Sequence, residues 1–318
     1  MDTPLIPGSQ YPGGHKKQTV KTVFSHAVEI LISSLIKAMG YSAIVFVIMI
    51  FYFLMSEGMA AIGEVPLSVL FSTRWYPTEG YYGILPLIGG SLLVTVGATL
   101  FSVPIGLATA IYIAEIAPRW MREILKPVIE ILAGLPSVVL GFIGIIALAP
   151  QLRRLLNLPT GLTALAGSIL LGIIAIPTIV SVAEDALDGV PKSYRDAALA
   201  IGATKWQTIW RVTLPAARSG VLTGIMLGIG RAIGETMTVM MVTGNAPVMV
   251  RSLSALVMPT RTMTATIAAE MGEVAKGSIH YHVLFLIGVI LFLISLIVNI
   301  TAAAMVFRVK KRAERILS

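Results

Sequence analysis

Apolar runs of eighteen or more residues recur along this 318-residue chain, each long enough to cross the hydrocarbon core of a bilayer. Inside lipid every backbone N–H and C=O needs a partner within the protein, which limits such runs to packed α-helices. Only 13% of the residues are charged, against about a quarter in soluble domains, so these runs are not the core of a large water-soluble fold. The expected fold class is an all-α polytopic membrane protein. Six transmembrane helices are read at roughly 38–55, 86–114, 128–149, 162–183, 219–243 and 281–306. They make one transmembrane domain over 38–306, preceded by an arm at 1–37 and followed by a basic tail at 307–318.

Charge assigns the sides. Sixteen of the 24 lysines and arginines fall before span one, on the connections after spans two and four, and in the tail, while six fall on the opposite side. The remaining two are Lys37, at the edge of the first span, and Arg231, inside the fifth. Basic residues gather on the cytoplasmic side, so both the N- and C-termini are expected there. The pair Arg153–Arg154 runs against this trend on the outer side. Because the net charge of +8 is spread over short connections, it points to topology and the lipid bilayer rather than to nucleic acid. Cysteine is absent, which excludes disulfides and thiolate metal sites. His15, His26, His280 and His282 sit at segment edges and are expected to be solvated; no metal site is read. Residues 1–26 lack the compact apolar core of a cleavable signal, so the first span is expected to be an uncleaved anchor. Residues 18–37 are amphipathic and are expected to lie along the cytoplasmic interface before the chain turns into that span.

The longest cytoplasmic connection, 184–218, is longer than a tether requires. Pro191 and Ser193 can open a helix that Gly202 closes, and Thr204 can cap a second helix that runs to Pro215. Two short helices meeting at a glycine make a knob, which is either a solvated hairpin or a contact for a partner. Asp196-Ala197-Ala198, Gly202 six residues after Asp196, and Val212-Thr213-Leu214-Pro215 resemble the EAA motif of ABC-importer permeases, E-A-A-x3-G-x9-I-x-L-P. Asp196 stands for Glu and Val212 for Ile. The resemblance implies that Asp196, Ala197, Ala198, Gly202, Leu214 and Pro215 belong to a coupling helix seated on a separate ATPase. A phosphate-cradling loop needs Gly-Lys, and the chain has no such pair, so the ATPase is expected to be another subunit and this chain not an enzyme.

The fifth span carries Arg231 near its middle and Glu235 one turn further out. Insertion scales put such a pair at a cost of about 5–7 kcal/mol, while an exposed i,i+4 ion pair returns only about 0.2–0.5 kcal/mol. The expected use is a pathway facing the bundle interior. On a helical wheel Gly220, Gly224, Gly228, Arg231, Glu235 and Thr238 share one sector, which reads as either a packing seam or the lining of a narrow passage; the passage is favoured. Gly230 and Gly234 fall outside the sector and are assigned to helix packing. Ser91, Thr95 and Thr99 either line the same passage or bond a neighbouring helix or their own backbone. Pro136 and Pro177 interrupt spans three and four as kinks or hinges.

GIMLGIGRAIGETMTV (224–239) resembles the fifth-span signature of the phosphate-specific (Pst) permeases, in the form of their C-type subunits. GSLLVTVGATLFSVPIGLATAIYIAEIAP (90–118) and LAGLPSVVLGFIG (132–144) are similar to the second and third spans of the same family. The resemblance covers roughly residues 80–305. It implies the type I ABC-importer permease fold in the bacterial inner membrane, with no cofactor bound by this chain. The implied partners are an A-type permease subunit in a heterodimer, two copies of an ATPase that carries ATP and Mg, and an extracytoplasmic phosphate-binding protein. Within that frame Arg231 meets inorganic phosphate, and Glu235 either accepts the proton phosphate carries or neutralises Arg231 between transport events. Three other readings stand beside it: a permease for sulfate or molybdate, an ion-coupled secondary transporter, and a signalling or scaffold subunit.

Overall fold

The computed structural model describes the backbone of residues 16–317 and the side chains of residues 29–307. The chain divides into two units, one ending at Phe53 and the other beginning at Leu54. Helix α1 (Lys16–Glu64) accounts for the described part of the first. The turn expected after residue 37 does not form, because no proline or helix stop separates the amphipathic stretch from the apolar one. The side chains of the basic residues ahead of the first span, and those of His15 and His26, lie outside the described residues.

In the second unit α2 (Leu67–Leu70) and a two-residue hairpin, β1 (Trp75–Tyr76) with β2 (Tyr81–Tyr82), precede α3 (Leu85–Ile111). A π-helical turn, Tyr112–Ile116, carries α3 into α4 (Arg119–Gly134). Then come α5 (Ser137–Ile143), a second π turn at Gly144–Leu148, α6 (Ala149–Leu155) and α7 (Ala164–Asp188). The knob follows as α8 (Lys192–Ala200), α9 (Lys205–Thr208), a third π turn at Ile209–Thr213 and α10 (Leu214–Ala216). After it run α11 (Arg218–Gly234), α12 (Met237–Val242), α13 (Met263–Glu270) and α14 (Ile279–Leu317).

Among the described residues, five helical stretches are long and apolar enough to cross a membrane: Glu29–Glu64, Leu85–Ile116, Ser137–Leu155, Ala164–Asp188 and Ile279–Phe307. Two expected spans are corrected. The third begins at Ser137, not 128, because Leu135 before Pro136 takes extended backbone (φ −65°, ψ 131°) and ends α4 there. Pro136 is therefore the boundary of a span and not a kink within one; Pro177 does lie inside α7. The fifth is broken: α11 ends at Gly234, Glu235 is extended (φ −69°, ψ 130°), and α12 restarts at Met237. The α9–α10 segment meets α11 at a bend of 73°.

Helix α7 is the most buried of the five stretches. Helix α3 runs parallel to it, with Ser168 Oγ donating to Val94 O at 3.2 Å near one end and Gly106 against Ile179 further along. Helix α11 runs antiparallel, bringing Gly220, Gly224 and Gly228 onto Ala186, Ala183 and Ile179 of α7. The glycine face is thus a packing seam: the small residues let two backbones approach, and the space is filled by α7, not left as a passage. A β-carbon on Gly228 would lie 2.5 Å from Ile179 Cγ1, so Gly228→Leu is expected to destabilise by about 1–3 kcal/mol through overpacking. Gly234 has nothing within 4 Å, and Gly234→Ala is expected to leave the thermal midpoint in detergent unchanged where Gly228→Leu lowers it. Neither Gly234 nor Gly230, whose nearest contact is Asn299 Oδ1 at 3.9 Å, is tightly packed within this chain.

Three buried clusters hold the unit together. Leu70, Trp75, Leu87, Met263, Leu284 and Ile287 pack at the hairpin end, and Val94, Ala98, Leu171, Ala232 and Val239 at the middle. Ile113, Leu187, Val190, Ile209 and Val221 pack at the knob end.

Candidate functional site

Arg231 lies three residues before the end of α11, on a face of this chain that is open. Its two terminal nitrogens donate to Thr178 Oγ1 of α7 and to the carbonyl oxygen of Ala133, each at 3.2 Å. The Ala133 carbonyl is in the last turn of α4, where helix carbonyls lack intrahelical donors and the helix end is partially negative. Both acceptors are neutral. Among the described residues Arg231 enters no ion pair, so its charge is oriented but not cancelled.

Glu235 does not pair with Arg231. The break after Gly234 takes Glu235 off the wheel on which both residues shared a sector, and its carboxylate Oε1 accepts from the backbone N–H of Thr238 at 3.2 Å. It thus supplies an acceptor to the first turn of α12, where unsatisfied N–H groups favour negative charge. Thr264 Oγ1 donates to the Glu235 carbonyl at 3.1 Å, satisfying a backbone group that the break exposes. Thr238 is fully buried and donates to Ser137 O at 2.8 Å, tying α12 to the start of α5.

The hydroxyl series of α3 is divided. Ser91 Oγ accepts from the backbone N–H of Met263 at 2.9 Å, and Thr99 Oγ1 donates to its own helix at Thr95 O, 2.8 Å. Ser91, Thr95 and Thr99 line an otherwise apolar cavity of about 270 Å³ with residues of α11 and α14. Ser91 and Thr95 also reach the small polar space beside Glu235, Thr262 and Thr264. Arg231 lines neither.

The knob is built by local rules. Pro191 precedes α8, and Gly202 stops it with φ +87°, the left-handed conformation glycine adopts without penalty. Thr204 opens α9 with a capping box: its Oγ1 accepts from Gln207 N at 3.2 Å while Gln207 Oε1 accepts from Thr204 N at 2.9 Å. Asp196 and Ala197 are exposed and Ala198 is buried. Ile201 is 87% exposed and Trp206 58%, with Trp206 and Trp210 packed edge to face at 5.9 Å. Large apolar groups held out of a polar segment mark a contact surface.

Residues 102–311 match the family described as the inner membrane component of binding-protein-dependent transport systems. The chain belongs to that family. It is 42% identical over 235 residues to a probable ABC transporter permease protein, YqgH, of Bacillus subtilis, covering 73% of this chain and 75% of that one. It is 34% identical over 265 residues to the phosphate transport system permease protein PstC of Xylella fastidiosa, covering 77% and 80%. PstC 1 of Mycobacterium tuberculosis is 33% identical over 260 residues, covering 75% and 76%. Among solved structures, a bacterial alginate ABC transporter matches with a TM-score of 0.60 at 14% identity, over 89% of this chain and 97% of that one. The MetNI methionine ABC transporter in an inward-facing form matches with a TM-score of 0.57 at 19% identity, over 74% and 99%. At such identities these likenesses establish the fold alone. The chain is a multi-span inner-membrane permease of the ABC-importer type.

Several polar residues of this permease escaped the sequence reading. At the hairpin end Glu270 collects three partners: Arg261 Nη2 at 2.6 Å, Trp75 Nε1 at 3.2 Å and His280 Nε2 at 2.8 Å. His282 lies 3.1 Å from Glu64 and 3.8 Å from Glu57. His280 and His282, in the first turn of α14, are thus held against carboxylates at the end of α13 and on α1, and are not solvated as expected. At the knob end Lys126 Nζ sits 2.8 Å from Glu184, whose carboxylate is buried. Hydrogen bonding to Glu184 holds the Lys126 ammonium above its ordinary range, so the stability this lysine contributes is fully present below the usual lysine value and is lost as pH rises through the raised one. Arg261 and Glu270 are each 17% exposed, so water partly replaces a lost partner, and Glu270→Ala is expected to cost about 1–3 kcal/mol, read as a lowered thermal midpoint of the purified permease. Arg153 and Arg154 line a cavity of about 680 Å³ with Asn157 and Thr160, in the last turn of α6.

Proposed function

We propose that this chain is the C-type permease of an importer that moves inorganic phosphate into the cytoplasm, with both of its termini on the cytoplasmic side. It receives phosphate from an extracytoplasmic binding protein, pairs with an A-type permease subunit, and is driven by two copies of an ATPase seated on the knob. The observation that carries the reading is the uncancelled charge of Arg231, held by two neutral acceptors on an open face of α11. A guanidinium kept in a span at a cost of about 2.5–3.5 kcal/mol is explained if an anion is its intermittent partner. The fork of N–H donors suits phosphate oxygens, and an open face suits a passage between two subunits. Relatives named as phosphate permeases at 33–34% identity support phosphate over other oxyanions.

In this reading phosphate displaces the Ala133 carbonyl and the Thr178 hydroxyl from Arg231, and both return when it leaves. Glu235, already bound to the start of α12, is not the counterion of Arg231 in this conformation. Its carboxylate stands on the α12 side of the break, where it can accept a hydrogen bond from a protonated oxygen of phosphate. Ser91, Thr95 and Thr99 belong to the wall of the bundle beside Glu235 and not to the face of Arg231. Labelled phosphate uptake into membrane vesicles holding the whole complex, with sulfate and molybdate as competitors, tests the assignment. Uptake is expected to need ATP, to resist the two competitors at tenfold excess, and to survive an uncoupler. Uptake that follows sulfate, or that collapses with the uncoupler while indifferent to ATP, would sink it.

A further inference from the structure

Arg195, in the first turn of α8, makes four hydrogen bonds to three different segments. Its Nε and Nη2 donate to Glu115 Oε1 at 3.0 and 2.7 Å, in the π turn that ends α3. Its Nη1 donates to Val190 O at 2.7 Å, in the link that follows α7, and Nη2 also to Leu187 O at 2.8 Å, in the last turn of α7. The two side chains are 19% and 8% exposed, so water competes little for these bonds. The C-terminal end of α7, where Leu187 lies, is partially negative and favours a cation. A single guanidinium thus joins the knob to the ends of two transmembrane helices.

The covalent link between α7 and α8 is only Gly189-Val190-Pro191. Left to itself, a three-residue connection containing glycine is a place for a hinge. Arg195 bonds to Leu187 on its α7 side and to Val190 within it, while Glu115 fixes the same head group to a helix 80 positions earlier in the chain. Beside it Arg122 donates to the carbonyl of Ala114 and lies 3.8 Å from Asp188, which brings α4 into the same assembly. Val190 and Ile209 pack beneath, with Ile113 and Leu187. We infer that Arg195 and Glu115 are positioning residues that make α8 one rigid body with the ends of α3 and α7. A push on the knob then reaches two spans at once and is not absorbed by bending at Gly189–Pro191. This rests on the proposed seating of an ATPase on the knob.

The chain has no cysteine, so spin labels can be placed on it singly. Labels at Ile116→Cys, beside Glu115, and Leu199→Cys, on the exposed face of α8, report the joint directly in the assembled complex with cysteine-free partners. In the otherwise native chain the label distance is expected to be narrow and equal in the nucleotide-free and vanadate-trapped states. In Arg195→Lys, which keeps the charge and loses the fork, and in Glu115→Gln, it is expected to broaden or to differ between the states. Phosphate moved per ATP hydrolysed should fall at least tenfold in both variants while ATP hydrolysis continues. A label distance that changes between states in the native pair, or a native transport ratio in both variants, overturns the inference. The distance measurement needs no substrate. An unaltered complex whose ATP hydrolysis ignores phosphate would therefore refute the phosphate reading and leave the joint to be judged by the labels.

Discussion

Arg231→Ala is expected to lower phosphate uptake by about 10²–10⁴-fold, with the complex still assembled. Two charge-assisted hydrogen bonds to phosphate are worth about 1.5–3 kcal/mol each, and each 1.4 kcal/mol is a factor of ten. In the resting chain the same substitution releases only a hydroxyl and a helix-end carbonyl, both on an open face where water replaces the guanidinium. The thermal midpoint should therefore move by no more than a degree or two. Arg231→Lys keeps the charge without the fork and is expected to lose about 10–100-fold, since one bond of the pair remains. Full uptake in the lysine variant would mean that charge alone suffices; full uptake in the alanine variant would remove Arg231 from the pathway.

Gly202→Val is expected to abolish transport by a different route. Gly202 has φ +87°, and a side chain in left-handed backbone costs about 1–2 kcal/mol, with β-branched residues worst placed to accept it. A β-carbon there meets nothing within 4 Å in this chain, so the penalty within the subunit is conformational and not steric. The turn relaxes instead, and α8 and α9 lose the relative placement that the left-handed Gly202 sets. ATP hydrolysis stimulated by the loaded binding protein should fall more than tenfold. Gly202→Asn separates the causes. Asparagine tolerates the left-handed region yet carries a β-carbon, so it should keep most of the stimulation. If it fails as badly as valine, the β-carbon is colliding with the ATPase and the turn geometry is not the reason.

The spans and the knob were legible because their causes are local. A run such as 281–306 is apolar whatever surrounds it, and Gly202 with Thr204 and Gln207 writes a helix stop and a helix start within six positions. The end of α4 was readable too, in the residue before Pro136, but the apolar run across that proline hid it. The break at Glu235 follows Gly234 and is capped locally, but it sits inside an apolar run that reads as one continuous helix. It is stabilised by Thr264, 29 positions later, and by the capping of Thr238 N, and a wheel drawn on a continuous helix cannot contain either. For the same reason the wheel grouped Gly220, Gly224 and Gly228 correctly on one face, but not what that face meets: α7 fills it. The Arg195–Glu115 and Trp75–Glu270 contacts join residues 80 and 195 positions apart, and only the packed bundle brings them together.

We propose that this subunit carries phosphate under the drive of ATP, with Arg231 in the path. Proteoliposomes holding the complete complex, with labelled phosphate and its binding protein on one side and ATP on the other, measure it in one assay. The native complex is predicted to accumulate phosphate only with ATP and the binding protein present, and the Arg231→Ala complex to accumulate at least 100-fold less while still hydrolysing ATP. Equal accumulation by the two complexes, or accumulation of sulfate in place of phosphate, would contradict the account.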